Sequence, residues 1–308
     1  MIIVKGMKNY IVTGASGLIA SELICQLQNS CQCTIYAVSS DPHKLLGRYA
    51  NNNVICLSLD ELKKRIEQER LHFHALIHCA FARSKSGRDI ASSLDYLESV
   101  LGVVKSGCIS AFINISSQSV YGQSEPPLWS ESTPADPDYL YAMGKYASEA
   151  MTNAALSDTN VRYTNIRLSS VSENARFLAV FVRNALKNIP IKVMGGTQSC
   201  SFIDVRDVAE ALTLVATLAD SMALRKVYNL STGVTRTIAE LAEDVRRIYK
   251  TKYNGNAVII NEEFDVKLEV GMDNTLFCNT FNWAPRYGYD DMIEALFDHY
   301  IKKQQLPN

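Results

Sequence analysis

Short apolar runs, each closed by small or polar residues and followed by a segment with apolar positions every three or four residues, alternate through the first half of the chain. Tyr10-Ile11-Val12-Thr13 is the first such run. It breaks into Gly14-Ala15-Ser16-Gly17, after which Leu18, Ile19, Leu23, Ile24 and Leu27 recur at helical spacing. Thr34 to Val38, Val54 to Leu57, Ala75 to Cys79 and Ala111 to Ile115 read as further strands. Helices are predicted from Glu61 to Arg70, capped by Asp60, and from about Ile90 to Lys105. Apolar strands alternating with amphipathic helices predict a Rossmann-type α/β fold, a doubly wound parallel sheet covered on both faces. Ligands of such sheets bind beyond the carboxyl ends of the strands.

Ile115 runs into Ser116-Ser117-Gln118-Ser119-Val120-Tyr121-Gly122, which puts these side chains at the ligand edge. Pro126, Pro127, Pro134 and Pro137 mark an irregular loop, followed by a helix from Tyr141 to Leu156 and a strand from Val161 to Arg167. From Ser169 the alternation loosens. A helix near Ala175 to Lys187 and a strand near Ile191 to Met194 precede a helix from Val208 to about Leu218 and a strand Val227 to Leu230, which read as a return to the sheet. Thr237 is placed to cap a helix reaching Lys250, and a strand near 257–260 and a helix from Asp291 to Lys302 close the chain. The expected organisation is a nucleotide-binding domain over 1–168 with return segments near 202–232, interleaved with a smaller substrate domain over 169–308.

Composition narrows the partners. The 308 residues are 47% hydrophobic and 20% charged, with 31 basic and 32 acidic residues and a net charge of -1, so neither nucleic acid nor an anionic membrane is expected and a small molecule is. Cysteines stand at 25, 31, 33, 56, 79, 108, 200 and 278 without a C-x-x-C pair and mostly in apolar runs, which reads as reduced core cysteines of a cytoplasmic protein. No metal site is expected. Ile2-Ile3-Val4 is too short for a signal-peptide core or a membrane span.

Two constellations carry chemistry. Gly14 and Gly17, in the spacing G-x-x-G-x-x-A with Ala20 as the small third residue, make a turn in which a pyrophosphate can approach the backbone N–H groups of the next helix. Tyr141 and Lys145 lie at i and i+4 on one helix face, where an ammonium would lower the phenol's pKa from about 10 and make it a usable proton donor and acceptor. Ser117 would hydrogen-bond the same substrate oxygen.

These residues, with Ile115-Ser116-Ser117-x-x-Val120-Tyr121-Gly122, Asn165-Ile166-Arg167-Leu168, Phe202-Ile203-Asp204-Val205-x-Asp207-Val208-Ala209 and Val227-Tyr228-Asn229-Leu230 in the same order, make the chain resemble the extended short-chain dehydrogenase/reductases over nearly its whole length. That family holds sugar-nucleotide epimerases, dehydratases and ketoreductases. The resemblance implies a bound NAD or NADP, with Tyr141 as general acid/base, Lys145 also holding the nicotinamide ribose, and Ser117 as carbonyl partner. The cofactor contacts it implies are Gly14, Ser16, Gly17, Leu18, Ile19, Ser39, Ser40, Cys79, Ala80, Tyr141 and Lys145, and it suggests a homodimer through the helices near 90–105 and 141–156.

Departures sharpen the expectation. Dehydratases of the family carry Asp-Glu after the hydroxyl residue, whereas Gln118 and Ser119 stand here, so dehydration is not expected. The arginine that usually precedes the Phe-Ile run and grips a diphosphate is absent from Gln198-Ser199-Cys200-Ser201-Phe202, Ser169 or Ser170 replaces a customary Asn, and 251–280 contains no Arg. Arg176, Arg183 and Lys192 are candidate substitutes. At the end of the second strand, the acid typical of NAD-preferring members is Ser39; Asp41 could serve instead, while Ser39, Ser40, His43, Lys44 or Arg48 could receive a 2′-phosphate, and the balance leans to NADP(H). The function expected is 4-ketoreduction or C4 epimerisation of a sugar nucleotide. Alternatives are reduction of a non-nucleotide ketone and a non-catalytic NAD(P)-binding regulator.

Overall fold

A computed structural model describes residues 8–30, 32–45, 47–49, 53–264 and 268–305. Cys31 and Ile2-Ile3-Val4 lie outside the described residues. The strands are β1 (Lys8–Thr13), β2 (Cys33–Val38), β3 (Val54–Leu57), β4 (Ala75–His78), β5 (Ala111–Ser117), β6 (Arg162–Leu168), β7 (Ser170–Val171), β8 (Ile191–Met194), β9 (Ser199–Ile203), β10 (Val227–Leu230), β11 (Thr235–Thr237) and β12 (Ile259–Glu262). The helices are α1 (Leu18–Ser30), α2 (Leu59–Glu69), α3 (Gly87–Val104), α4 (Leu140–Leu156), α5 (Arg176–Leu186), α6 (Val205–Leu218), α7 (Ile238–Tyr253), α8 (Thr275–Phe281) and α9 (Tyr289–Gln305).

Seven strands form one sheet in the order β10-β6-β5-β4-β1-β2-β3. The β1–β2, β2–β3, β1–β4 and β4–β5 pairs are parallel. From β1 the chain winds outward one way through β2 and β3, then crosses to β4 and winds the other way. The switch point between β1 and β4 opens a crevice at their carboxyl ends, where Thr13 is in register with His78.

The chain divides into two compact units. One comprises 1–122, 135–167 and 208–228, and its core packs Ile11, Tyr36, Leu76, Leu97, Leu101 and Phe112. The other comprises 123–134, 168–207 and 229–308. It holds the small sheets β11-β9-β7 and β12-β8, with Leu178, Val182, Leu241, Val245, Ile293 and Phe297 in its core.

Several local expectations change. Helix α2 starts at Leu59 and is capped by Ser58, not by Asp60: the Ser58 hydroxyl accepts from Glu61 N at 3.2 Å and the Glu61 carboxylate accepts from Ser58 N at 2.7 Å. Thr237 caps α7 with the same reciprocal pair. The short strands β7 and β11 and helix α8 have no counterpart in the sequence reading, because so few residues display no periodicity. Among the described cysteines only Cys33 is buried; Cys25 is exposed and the others half-buried. Cys25 points outward because α1 buries Leu23, Ile24 and Leu27 on the opposite face. Among the described residues, no helix is long and apolar enough to cross a membrane.

Candidate active site

At the switch point Thr13 Oγ1 lies 2.8 Å from His78 Nδ1, with both residues buried. Burial and then the charge of Lys145 push His78 down to about 3, so its imidazole is neutral, and it stacks near Tyr96 and Phe112. The chain then turns at Gly14, which holds φ +69°, and a Cβ there would come within 2.8 Å of Ala80 N. Gly14 is therefore required first by the loop that leaves β4, a reason separate from ligand approach. Replacing it by alanine is expected to cost about 1–2 kcal/mol for the left-handed backbone and to push Ala80 outward. Urea unfolding together with NADH titration measures both effects, and an unchanged midpoint with unchanged affinity would contradict this account. Gly17 N closes the turn on Gly14 O at 2.8 Å, and Leu18 and Ile19 open α1.

A cleft of about 330 Å³ lies beyond these strand ends, lined by Gly14, Ser16, Ser39, Ser40 and Ala80, which the sequence singles out, and by Phe81, Ala82, Asp89, Ser92, Ser93 and Tyr96, which it does not. The second group sits on the loop after β4 and the first turns of α3. Its only signal in the sequence is that it follows a strand flanking the switch point. The loop is pinned where Ala82 N donates to Ser93 Oγ at 3.0 Å and Ser84 Oγ to Asp89 Oδ2 at 2.6 Å. Gly17, Leu18, Ile19 and Cys79 are not lining residues, nor are Tyr141 and Lys145. The glycine turn at Gly14 and Ser16, with the small residues Ser39, Ser40 and Ala80 around it, fits a phosphate-bearing dinucleotide.

Ser117 ends β5 and Tyr141 stands in the first turn of α4. Their hydroxyls hydrogen-bond to one another. Ser117 Oγ also accepts from Ser119 N at 3.2 Å and from Ser119 Oγ at 3.0 Å, so its single O–H is the one turned to Tyr141. That leaves the phenolic O–H of Tyr141 to donate elsewhere. Gly144 allows α4 to come this close, because a Cβ there would meet Ile90 Cγ2 at 2.6 Å and Phe81 Cζ at 3.2 Å. Phe81 packs edge-on against the Tyr141 ring and lies under the Lys145 ammonium at 4.2 Å.

Here the structure corrects the electrostatic expectation. Lys145 Nζ donates to Ile115 O at 2.7 Å. Burial pushes the Tyr141 phenol up to about 12, against the charge of Arg83 and the Ser117 hydrogen bond, rather than an ammonium bringing it down. Burial also lowers Lys145 to about 7, with Cys79 and Glu149 acting in the opposite sense. The tyrosine is thus a neutral proton donor at neutral pH.

Beneath this face lies a buried carboxylate that the sequence reading missed. Glu149, one turn beyond Lys145 on α4, takes a bidentate grip from Arg167 of β6, with Nε–Oε1 at 2.9 Å and Nη2–Oε2 at 2.8 Å, and accepts from the Ser116 hydroxyl. Arg167 also lies over the Tyr121 ring at 4.8 Å. Its signal was the i+4 spacing from Lys145 and a lone arginine inside an apolar strand.

In the other unit, Lys192 is paired with Glu262 at 2.9 Å, Arg183 lies over the Tyr300 ring at 5.7 Å, and Arg176 is exposed. Gln198 is buried, accepting from Gly196 N at 2.8 Å and donating to Met194 O at 3.2 Å, so its amide is committed to its own turn.

Comparison with known proteins follows this geometry. The model of the NAD dependent epimerase/dehydratase family matches residues 10–231. A dTDP-glucose 4,6-dehydratase of Actinoplanes sp. is 25% identical over 180 residues, which are 56% of this chain and 54% of that protein. Among solved structures, UDP-N-acetylglucosamine 4-epimerase from Bacillus cereus superposes with a TM-score of 0.77 at 17% identity, covering 98% of each chain. The Bacillus cereus UDP-glucuronic acid 4-epimerase, in complex with UDP-glucuronic acid and NAD, superposes with a TM-score of 0.78 at 18% identity, covering 96% of this chain and 99% of that one.

Proposed function

Since the chain belongs to the NAD dependent epimerase/dehydratase family, we propose that it is an NAD(P)-dependent oxidoreductase or epimerase that performs 4-ketoreduction or C4 epimerisation of a sugar nucleotide. The observation that carries this reading is the hydrogen bond between Ser117 and Tyr141, with Lys145 one turn further along α4. The dinucleotide, when bound, supplies or accepts the hydride. Tyr141 gives its phenolic proton to the sugar oxygen as a carbonyl becomes a hydroxyl, and takes it back in the reverse direction. Ser117 holds the Tyr141 oxygen in place and, as that oxygen gains negative charge, stabilises it through its O–H. Lys145 brings positive charge to the same face and holds the nicotinamide ribose. Gly14, Ser16, Gly17, Leu18, Ile19, Cys79 and Ala80 seat the rest of the cofactor.

A second reading, reduction of a non-nucleotide ketone, draws on Gln198, whose amide is spent within its own turn where a diphosphate-gripping arginine is expected. Incubating the protein with UDP-glucose, UDP-glucuronate or a dTDP-4-keto sugar, each with and without added NADPH, decides between them. An epimer formed without net cofactor use identifies epimerisation, and stoichiometric NADPH oxidation identifies ketoreduction. Turnover of apolar ketones alone would overturn the sugar-nucleotide assignment. A cytoplasmic homodimer completes the proposal: Tyr139, Leu140, Met143 and Tyr146 expose 51%, 40%, 50% and 42% of their surface at or beside α4, an apolar surface that a second copy would cover.

A further inference from the structure

One aromatic side chain touches the cleft and both members of the proposed acid/base pair. Phe81, half-buried on the loop that leaves β4, lines the cleft, while neither Tyr141 nor Lys145 does. Its ring centre lies 4.2 Å from Lys145 Nζ, and its ring meets that of Tyr141 edge-on, with 6.0 Å between centroids and 81° between planes. The place of this ring is fixed by its loop and by α4. Ala80 N abuts Gly14, where a Cβ would approach to 2.8 Å, and Ala82 N donates at 3.0 Å to Ser93 Oγ, which itself donates to Asp89 O at 2.8 Å. The loop is thus held on either side of Phe81. Its ring tip reaches α4 at Gly144, where a Cβ would come within 3.2 Å of Phe81 Cζ. Glycine inside a helix is disfavoured relative to alanine, and here its missing Cβ is the space that the ring tip uses.

The ring also meets an electrostatic need. Burial works against the Lys145 charge and lowers its pKa to about 7. The ionisable groups that face the ammonium are Cys79 and His78, from the end of β4, and Glu149 from its own helix. Burial pushes the Cys79 thiol up to about 12 and His78 down to about 3, so both are neutral at pH 7, and the Glu149 carboxylate is gripped by Arg167. The negative face of an aromatic ring favours a cation over a neutral amine, and Phe81 presents that face to Lys145.

From this geometry we infer that Phe81 is a positioning residue for the reaction proposed above: its ring face holds Lys145 as a charged ammonium and its edge fixes the Tyr141 ring. The role rests on that functional reading. When Tyr141 gives its proton to the substrate oxygen it becomes a phenolate, and positive charge one turn further along α4 lowers the energy of that state. A ring that stabilises the ammonium therefore favours the proton transfer without touching a reacting atom.

The reactivity of Lys145 against pH tests this apart from turnover. Acetic anhydride attacks the neutral amine, so acetylation of the Lys145 peptide of the purified protein, followed by mass spectrometry across a pH series, gives the pH at which the ammonium loses its proton. Phe81→Leu removes the ring face that favours the cation, so the midpoint is expected to fall by about one pH unit, a tenfold change. The alkaline fall in kcat is expected to move down with it, which lowers kcat at pH 7.5 by about tenfold. A ring-fluorinated phenylalanine at position 81 keeps the shape of the side chain and draws electron density off its face. It is expected to shift both readouts in the same direction by about half as much, and it decides the matter alone if Phe81→Leu fails to fold. An unmoved midpoint in Phe81→Leu, or a shift there that the fluorinated ring does not reproduce, overturns the inference. Absence of turnover by the wild-type protein on every sugar nucleotide and ketone overturns the functional reading instead, while the acetylation midpoints still decide whether Phe81 holds the Lys145 charge.

Discussion

Replacing Tyr141 by phenylalanine is expected to lower kcat by about 10²–10⁴-fold, the usual contribution of one positioned general acid or base, while dinucleotide affinity changes by less than about twofold, since one neutral hydrogen bond removed from a partly exposed site is worth little. The reasoning is one of proton accounting. The Ser117 oxygen already accepts two hydrogen bonds from Ser119, so its O–H points at Tyr141 and the phenol alone has a proton to give to a substrate oxygen. Phenylalanine preserves the edge-on contact with Phe81 and deletes the hydroxyl, taking away the transferable proton together with the acceptor of the Ser117 O–H. The measurement is kcat on whichever sugar nucleotide the wild-type protein converts, paired with NADPH titration of the variant. Turnover surviving at the wild-type rate would remove Tyr141 from the mechanism. Loss of dinucleotide affinity in parallel would mean that the hydroxyl serves binding and not proton transfer.

The second large effect concerns stability. Glu149→Gln is expected to destabilise the protein by about 3–5 kcal/mol, because it leaves the Arg167 guanidinium buried without its counter-charge. The two side chains are 3% and 7% exposed, so water cannot take the place of the lost carboxylate. The pair itself carries a heavy desolvation cost, so removing both charges is cheaper than removing one. Glu149→Leu combined with Arg167→Met is expected to recover most of the loss, apart from the Ser116 hydroxyl left without its acceptor. Urea unfolding of Glu149→Leu, Arg167→Met and the double variant completes the cycle. Single and double costs that simply add would show that the pair is uncoupled. The Ser116 hydrogen bond to the same carboxylate ties the strand end that carries Ser117 to the helix that carries Tyr141, since Ser116 adjoins the one and Glu149 stands two turns beyond the other.

Much of the fold was legible along the chain. Buried parallel strands leave continuous apolar runs, and helices lying on them leave a 3.6-residue rhythm, so β1 to β6 and α1 to α4 appear near their observed bounds. Gly14, Ser117, Tyr141 and Lys145 were legible for a similar reason: a turn with positive φ, a strand end and two residues four apart on a helix are local facts. Short pieces such as β7 and β11 escaped because two or three residues carry no period. The cap of α2 was misplaced because Ser58 and Asp60 are both good cap residues, and only the Ser58–Glu61 geometry selects one.

Sequence alone, then, determined the alternation of strand and helix, the glycine turn, and the order of the motifs that mark the family, since each depends on neighbours within a few positions. Tertiary structure decided the electrostatics and the walls of the site. Whether Tyr141 is made a stronger or a weaker acid depends on how deeply it is buried and on which charge reaches it, and Lys145 gives one of its hydrogen bonds to Ile115 O. Whether Asp41 guards the cleft depends on where its carboxylate turns, and Arg48 reaches Ser16 from 32 positions away. Burial and long-range approach are set by the packing of the whole unit, so no local pattern in the chain could have shown them.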